Sequence, residues 1–237
     1  TGIVCMNDIP PTVSTYNGNV TYTYEWTDES GNVISNQPFA EILQGGIYTV
    51  IATSSLGCQS FPQSITISES EIAVITQEDV EINDNSSNNS IRVITDNQNL
   101  GIGDYEFSLN ESFGPYQDDP LFTQVIPGEH IIYVRDKNGC GLSQITVHVL
   151  GFPNFFTPNN DNENDTWQVR GLDQTVFPES YISIYDRYGK LLTTFTGAHD
   201  GWDGTYENVE AISSDYWYIV QLVDVSGTAR QYRGHFS

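Results

Sequence analysis

Apolar and polar positions alternate along this chain in short runs, and each run is cut by a cluster of turn-forming residues. Thr21-Tyr22-Thr23-Tyr24-Glu25-Trp26-Thr27 has the two-residue period of a strand with one buried face. Asp28-Glu29-Ser30-Gly31-Asn32 interrupts it and Val33-Ile34 resumes it, which predicts a hairpin. Residues 181–185 are followed by Asp186-Arg187-Tyr188-Gly189 and then Lys190-Leu191-Leu192. Residues 216–223 are followed by Asp224-Val225-Ser226-Gly227-Thr228 and a last strand around residues 230–236. No stretch of ten or more residues carries a helical period. Thr, Val, Ile and Tyr dominate the apolar runs, which favours strands. Strands at such regular spacing predict an all-β chain of sandwiches or barrels.

The pattern also repeats at a larger scale. Phe39-Ala-Glu-Ile-Leu43 leads through Gly45-Gly46-Ile47-Tyr48-Thr49-Val50 to Gly57-Cys58 and an Ile65-Thr66-Ile67 strand. Phe122-Thr-Gln-Val125-Ile126-Pro-Gly128 leads through Ile132-Tyr133-Val134 to Gly139-Cys140 and Ile145-Thr146-Val147. Two copies at a spacing of roughly 80 residues suit tandem immunoglobulin-like β-sandwiches. With the distinct last third, the expectation is three such domains in a row, over residues 1–70, 71–150 and 151–237. The polar run 83–90 reads as an inter-strand loop inside the second repeat.

Charge changes this picture in one respect. Residues 1–150 hold 19 acidic and 3 basic side chains, residues 151–237 hold 12 and 5, and together they give the formal net charge of −23. Such a balance repels phosphate backbones and anionic membranes, so nucleic acid is not an expected partner. Arg170, Arg187, Lys190, Arg230 and Arg233 set the last third apart. The acidic surface reads as a solubility device, with divalent-cation binding as the alternative. The chain opens at Thr1 with no charged-then-apolar leader and holds no 18-residue apolar run. No signal peptide or membrane span is therefore predicted, and the chain reads as a monomeric fragment of a longer protein.

There are three cysteines. Cys5 and Cys58 fall where an opening and a closing strand of one sandwich would meet, so a Cys5–Cys58 disulfide is expected, with two buried free thiols as the alternative. Cys140 has no counterpart within its own repeat; it reads as a buried thiol or as a bond to another chain. No catalytic motif is present: there is no Gly-x-Ser-x-Gly, His-Glu-x-x-His, Gly-x-Gly-x-x-Gly or phosphate loop. The expectation is a protein that is not an enzyme. His130, His148, His199 and His235 are scattered and read as packing or surface residues.

Two resemblances can be named. Val4-Cys5, a strand ending at Trp26, Gly46-Ile47-Tyr48-Thr49-Val50 and Gly57-Cys58 resemble the repeats of large Bacteroidetes surface proteins, such as SprB-like gliding adhesins. The last third runs in order through Phe155-Phe156-Thr157-Pro158-Asn159, Trp167, Gly171-Leu172, Phe177-Pro178 and Ile182-Ser183-Ile184-Tyr185-Asp186-Arg187-Tyr188-Gly189-Lys190-Leu191. Gly201-Trp202-Asp203-Gly204-Thr205-Tyr206, Ser214-Asp215-Tyr216-Trp217-Tyr218 and Tyr232-Arg233-Gly234-His235-Phe236 follow. This succession resembles the gliding-motility-associated C-terminal domain, the type B sorting domain of type IX secretion. The resemblance implies a protein secreted across the outer membrane to the cell surface. It also implies as partners the type IX machinery and an outer-membrane protein of the SprF/PorP kind, with the chain as the C-terminal region of a large adhesin. A glycan- or protein-binding β-sandwich module is the alternative, with Tyr22, Tyr24, Tyr216 and Tyr218 as candidate contacts.

The family commonly has Gly where this chain has Asn160 and Asn162; Asn tolerates the left-handed backbone that such positions need. The same loop offers oxygen ligands at Asn159, Asp161, Asn164 and Asp165, with Glu163 between, so calcium is a candidate cofactor. The alternative is an Asx-rich turn whose side chains bond their own backbone. Asp203 is expected to shape a turn, with Trp202, Phe155, Phe156 and Trp167 as core candidates.

Overall fold

The computed structural model describes residues 1–6, 8–15, 21–84 and 88–237. Over these the chain is all-β, with two single turns of 3-10 helix at Gln77–Asp79 and Asp96–Gln98. The first repeat contributes β1 (Gly2–Cys5), β2 (Thr12–Ser14), β3 (Thr23–Thr27), β4 (Val33–Ser35), β5 (Phe39–Glu41), β6 (Gly46–Thr53) and β7 (Gln63–Ser70). The second contributes β8 (Val80–Asn83), β9 (Ser90–Val93), β10 (Tyr105–Leu109), β11 (Leu121–Thr123), β12 (Gly128–Asp136) and β13 (Leu142–Val149). The last third holds β14 (Glu179–Tyr185), β15 (Leu191–Thr196), β16 (Thr205–Tyr206), β17 (Val209–Glu210), β18 (Tyr216–Val223) and β19 (Ala229–Phe236). β8 and β9 pair with Asn83 opposite Ser90, so the polar run connects two strands; its residues 85–87 lie outside the described ones.

One local device makes the long hairpins. Five times among the described residues a five-residue turn places a side-chain oxygen at its first position and glycine at its fourth, at residues 28–32, 54–58, 136–140, 186–190 and 224–228. The glycines have φ between 82° and 90°, the left-handed conformation that closes a three-residue hairpin loop and that a Cβ disfavours. In each turn the glycine N–H donates to the first residue's carbonyl. The N–H of the fifth residue donates to the first residue's side chain, as from Lys190 to Asp186 Oδ1 (2.9 Å) and from Thr228 to Asp224 Oδ1 (2.9 Å). Hydrogen bonds hold two of these aspartates below the usual carboxylate range, those from the Asn32 side chain and N–H at Asp28, and chiefly the Ser226 hydroxyl at Asp224.

The chain divides into two compact units, and the strands of residues 71–150 are shared between them. The first unit comprises Thr1–Asp79, Ile94–Pro120 and Ile132–Ile145. Its five-stranded sheet has the order β1-β7-β6-β3-β4, and β2 pairs with β5. Tyr24 and Trp26 alternate inward on β3 and pack with Ala40 and Val50, while Val4, Ile42, Tyr48 and Ile67 form a second cluster. β1 runs parallel to β7, with Cys5 opposite Ser70.

That direction corrects the expected cysteine pairing. Cys58 lies near the end of β7 that starts at Gln63, because Thr53 of β6 bridges to Gln59. Cys5 lies at the other end, about 23 Å away at some 3.3 Å per strand residue. A disulfide needs Cα atoms within about 7 Å, so Cys5 and Cys58 cannot bond. Cys5 instead bonds Cys140, with Cα atoms 5.3 Å apart, and Cys58 is a free, exposed thiol. Cys140 is thus neither a lone buried thiol nor a link to another chain.

Around the bond sits a buried polar cluster. Asp136 Oδ1 accepts from the Ser70 hydroxyl (2.9 Å) and its Oδ2 accepts from the Cys140 N–H (3.0 Å); both side chains are buried. Glu71 Oε1 accepts from the Ile102 N–H (2.7 Å). Tyr105 donates to the Glu71 carbonyl, and burial, with Glu71 and Asp136 adding, pushes its phenol up to about 12. The chain between the repeats is therefore fixed by a covalent bond and by charge-assisted hydrogen bonds.

The bond spans 135 residues of sequence, a separation worth up to about 5 kcal/mol on the chain-entropy account. We predict that replacing Cys5 and Cys140 by serine lowers the free energy of unfolding in urea by several kcal/mol, up to about that bound. An unchanged midpoint would show that the polar cluster alone holds the junction.

Candidate functional site

The second unit comprises Val80–Val93, Leu121–Ile131 and Thr146–Ser237. Its main sheet, in the order β15-β14-β18-β19, is antiparallel throughout. Ile182, Ile184, Tyr216, Tyr218, Val220 and Leu222 all point to one face. The motifs that are separate in sequence converge there. Trp167 is fully buried and stacks on Phe236 (ring centroids 4.4 Å), with Tyr218 against its side (4.8 Å). Trp202 packs edge-on against Tyr216 (4.8 Å), Phe156 lies over Trp202 (5.4 Å), and Phe152 stacks on Tyr218 (5.4 Å). Such pairs contribute about 0.5–1.5 kcal/mol each beyond their buried area.

The indole N–H groups of this core are satisfied. Trp167 Nε1 donates to the Pro153 carbonyl (2.8 Å) and Trp202 Nε1 to the Thr205 carbonyl (2.8 Å). The two tryptophans also exchange backbone hydrogen bonds, of 2.8 and 2.9 Å. Gly234 is required by contact: a Cβ there would lie 2.3 Å from the Tyr218 hydroxyl oxygen. Asp203 caps its turn by accepting from the Thr205 N–H and hydroxyl, as expected. Phe155, in contrast, faces solvent.

Of the tyrosines considered as ligand contacts, Tyr24, Tyr216 and Tyr218 are buried and Tyr22 is exposed. Strand alternation turns Trp217 outward instead, beside His235 (6.1 Å), a position that its aromatic neighbours in sequence obscure. A cleft of about 440 Å³ opens beside Phe156, Pro158, Trp202, Glu210 and Ile212. A smaller one of about 230 Å³ is lined by Arg187, Tyr188, Lys190 and Tyr206, with the Lys190 ammonium 4.2 Å from the Tyr206 ring centre. These surfaces can stack and hydrogen-bond a partner.

The 159–165 loop is organised by its own backbone. Asp165 Oδ1 accepts from the N–H groups of Asn159 (3.0 Å) and Asn160 (2.6 Å), and its Oδ2 from that of Asn162 (2.8 Å). Asp161 accepts from the Glu163 N–H and the Asn159 side-chain amide. The Asn159 Oδ1 accepts from the Asp161 N–H, and Asn164 Oδ1 from the Arg170 guanidinium (2.6 Å). Each of the four candidate calcium ligands thus directs side-chain oxygen at a nitrogen donor. Among the described residues no three His, Cys, Asp or Glu side chains are grouped as a metal site. Asn160, Asn162 and Asn164 have φ of 60°, 69° and 56°, the left-handed backbone expected where the resembled family has glycine.

Asp84 is a site residue with no motif to announce it. Its Oδ1 accepts from the Leu150 N–H (2.8 Å) and its Oδ2 from the Tyr232 hydroxyl (2.7 Å), so a loop of residues 71–150 is tied into the C-terminal module. Burial raises its carboxyl above the usual range, offset in part by the Tyr232 hydrogen bond. Burial and Asp84 together push the Tyr232 phenol up to about 12.

Comparison with known proteins bears on this module. Residues 150–236 match the family model of the CHU_C type IX secretion signal domain. That stretch carries the motifs that converge on the aromatic core, and it marks the protein for export by type IX secretion. A search of curated proteins returns no match. Solved structures align over nearly the whole chain at low similarity. The FN1–FN3 domains of chicken CNTN1 are 11% identical over 98% of this chain and 96% of that one, with a TM-score of 0.26. The Bacteroides ovatus SGBP-B in complex with a mixed-linkage heptasaccharide is 12% identical over 100% and 65%, with a TM-score of 0.25. A calcium-stabilised, ice-binding adhesin of an Antarctic bacterium is 11% identical over 99% and 70%, with a TM-score of 0.31. At these values the alignments carry no inference about function.

The hydrogen bonds of this unit make three predictions. An acid whose folded pKa is raised opposes folding once it is charged, so Asp84 subtracts stability above its folded pKa and returns it as pH falls toward the ordinary carboxylate range. Asp84→Asn should therefore be no less stable at neutral pH and should flatten that part of a urea-denaturation series against pH. A variant that is much less stable at neutral pH would contradict this. Asp165→Ala removes the acceptor of three backbone N–H groups and should cost about 1–3 kcal/mol. With the loop already satisfied, adding calcium or a chelator should leave the melting temperature of the unaltered chain unchanged; a rise with calcium would show that the carboxylates exchange their donors for the cation.

Proposed function

We propose that this chain is the C-terminal region of a large secreted cell-surface adhesin. Its last module directs type IX secretion and holds the protein at the surface through an outer-membrane partner of the SprF/PorP kind. The observation that carries this reading is the secretion-signal match over residues 150–236, together with the convergence of that segment's motifs on one core.

The second unit includes Val80–Val93 and Leu121–Ile131, so the transferable signal is longer than the matched segment. A reporter with a signal peptide fused ahead of the whole chain should reach the surface of a type IX-competent host. The same fusion ended at Val149 should stay in the periplasm, and a fusion carrying residues 151–237 alone should export less than one carrying 71–237. Periplasmic retention of the full fusion, in a host that exports its own cargo and carries the partner, would overturn the reading.

A further inference from the structure

We infer that the end of the first repeat around Cys58 is a docking face for the opening strand of another repeat of the same kind, joined ahead of it and bonded to Cys58 by a disulfide. Cys58 and Cys140 hold the fifth position of the same turn in successive repeats. Each follows a left-handed glycine, Gly57 at φ 82° and Gly139 at φ 90°. Each donates its N–H to the turn's first side chain, Ser54 (3.1 Å) or Asp136 (3.0 Å).

At Cys140 the structure shows what such a turn receives. The segment that closes the first repeat covers it: Ser70 donates to Asp136, and Ile72 lies where a Cβ on Gly141 would come within 2.8 Å. Cys5, delivered beside Ser70 by the parallel β1, completes the cover with its disulfide and leaves Cys140 8% exposed. At Cys58 the same turn is bare. The thiol is exposed, and the apolar side chains beside it, Leu56 and Phe61, are 90% and 88% exposed. The turn that is covered at Cys140 therefore leaves at Cys58 a thiol and two apolar side chains open to a partner segment.

The occupant follows from the repeat itself. The cysteine that reaches a turn of this kind comes from the opening strand of the repeat before it. The second repeat holds no cysteine ahead of Cys140, so it has no opening-strand thiol to offer. A repeat like residues 1–70 placed ahead of Thr1 brings its own opening-strand cysteine to the matching point at Cys58. The bond removes two electrons and two protons from the thiol pair. An oxidant of the disulfide class, such as oxidised glutathione or a disulfide-bearing oxidoreductase, accepts them by exchange. The Cys58 thiolate attacks one oxidant sulfur and releases one thiol; the incoming cysteine thiolate then attacks the mixed disulfide at Cys58 and releases the second. This inference stands apart from the secretion reading and does not need it.

The test is an extended chain in which residues 1–70 are duplicated ahead of the whole protein. It is refolded with oxidised and reduced glutathione, blocked with maleimide and digested for mass spectrometry without reduction. Only molecules that carry the resident Cys5–Cys140 bond are counted, so every molecule counted has a folded junction. The expected result is a bond between the upstream copy's Cys5 and the resident Cys58, whose alkylation, complete in the unextended chain, is lost. Cys5→Ser in the upstream copy should restore that alkylation in full. The proposal is overturned if the resident Cys58 stays as reactive as in the unextended chain, or if it pairs with Cys58 of a second molecule in a covalent dimer.

Discussion

Register is the constraint on which everything else in this chain depends. With almost no helix, strand pairing is the main regular source of backbone hydrogen bonds, and a slip of one residue would turn a buried face to solvent. The five-residue turn sets that register. Its left-handed glycine fixes the direction of the returning strand, and the oxygen of its first side chain holds the N–H at the other end. The turn at residues 186–190 joins β14 to β15 and the one at 224–228 joins β18 to β19, so each of the four strands of the C-terminal sheet adjoins such a turn. The inward positions of Ile182, Ile184, Tyr216 and Tyr218 then follow from alternation alone.

Where turns cannot reach, buried polar groups make the connection. Asp136 ties Ser70 to the turn of Cys140, and Asp84 ties Leu150 to Tyr232. Burying a carboxylate is costly unless donors surround it; the buried Asp136 accepts from the distant Ser70 and from Cys140 in its own turn, and the half-buried Asp84 accepts from Leu150 and Tyr232, both distant in sequence. They specify which segments meet, while the apolar clusters supply the driving force. The middle repeat is accordingly divided, its β8, β9 and β11 belonging to one compact unit and its β10 to the other.

In the module that matches the secretion-signal model, the aromatic residues divide between core and surface. Trp167 and Phe236 are hidden in the core and hold the module's shape, while Trp202 packs on the same core and borders the larger cleft. What a partner can meet is the outward set: Trp217 and His235 on the sheet, the cation-lined cleft at Arg187 and Lys190, and the internally hydrogen-bonded 159–165 loop.

Much of this was legible in the residues because the signals are local. Alternation gave the strands, Asp-x-x-Gly gave the turns, and asparagine at 160 and 162 marked the left-handed loop, all within a few residues of backbone. The all-β class and the convergent motifs of the last third were readable for the same reason. Two features were not. The cysteine pairing depends on β1 lying parallel to β7, a long-range choice that no periodicity in either strand records. Asp84 depends on Leu150 and Tyr232 arriving from 66 and 148 residues away. Composition and period along the chain determined which segments are strands, where they turn and which faces are apolar. Only the tertiary structure decided which strands are neighbours and in what direction, because that choice is made by buried contacts between residues that share no local pattern.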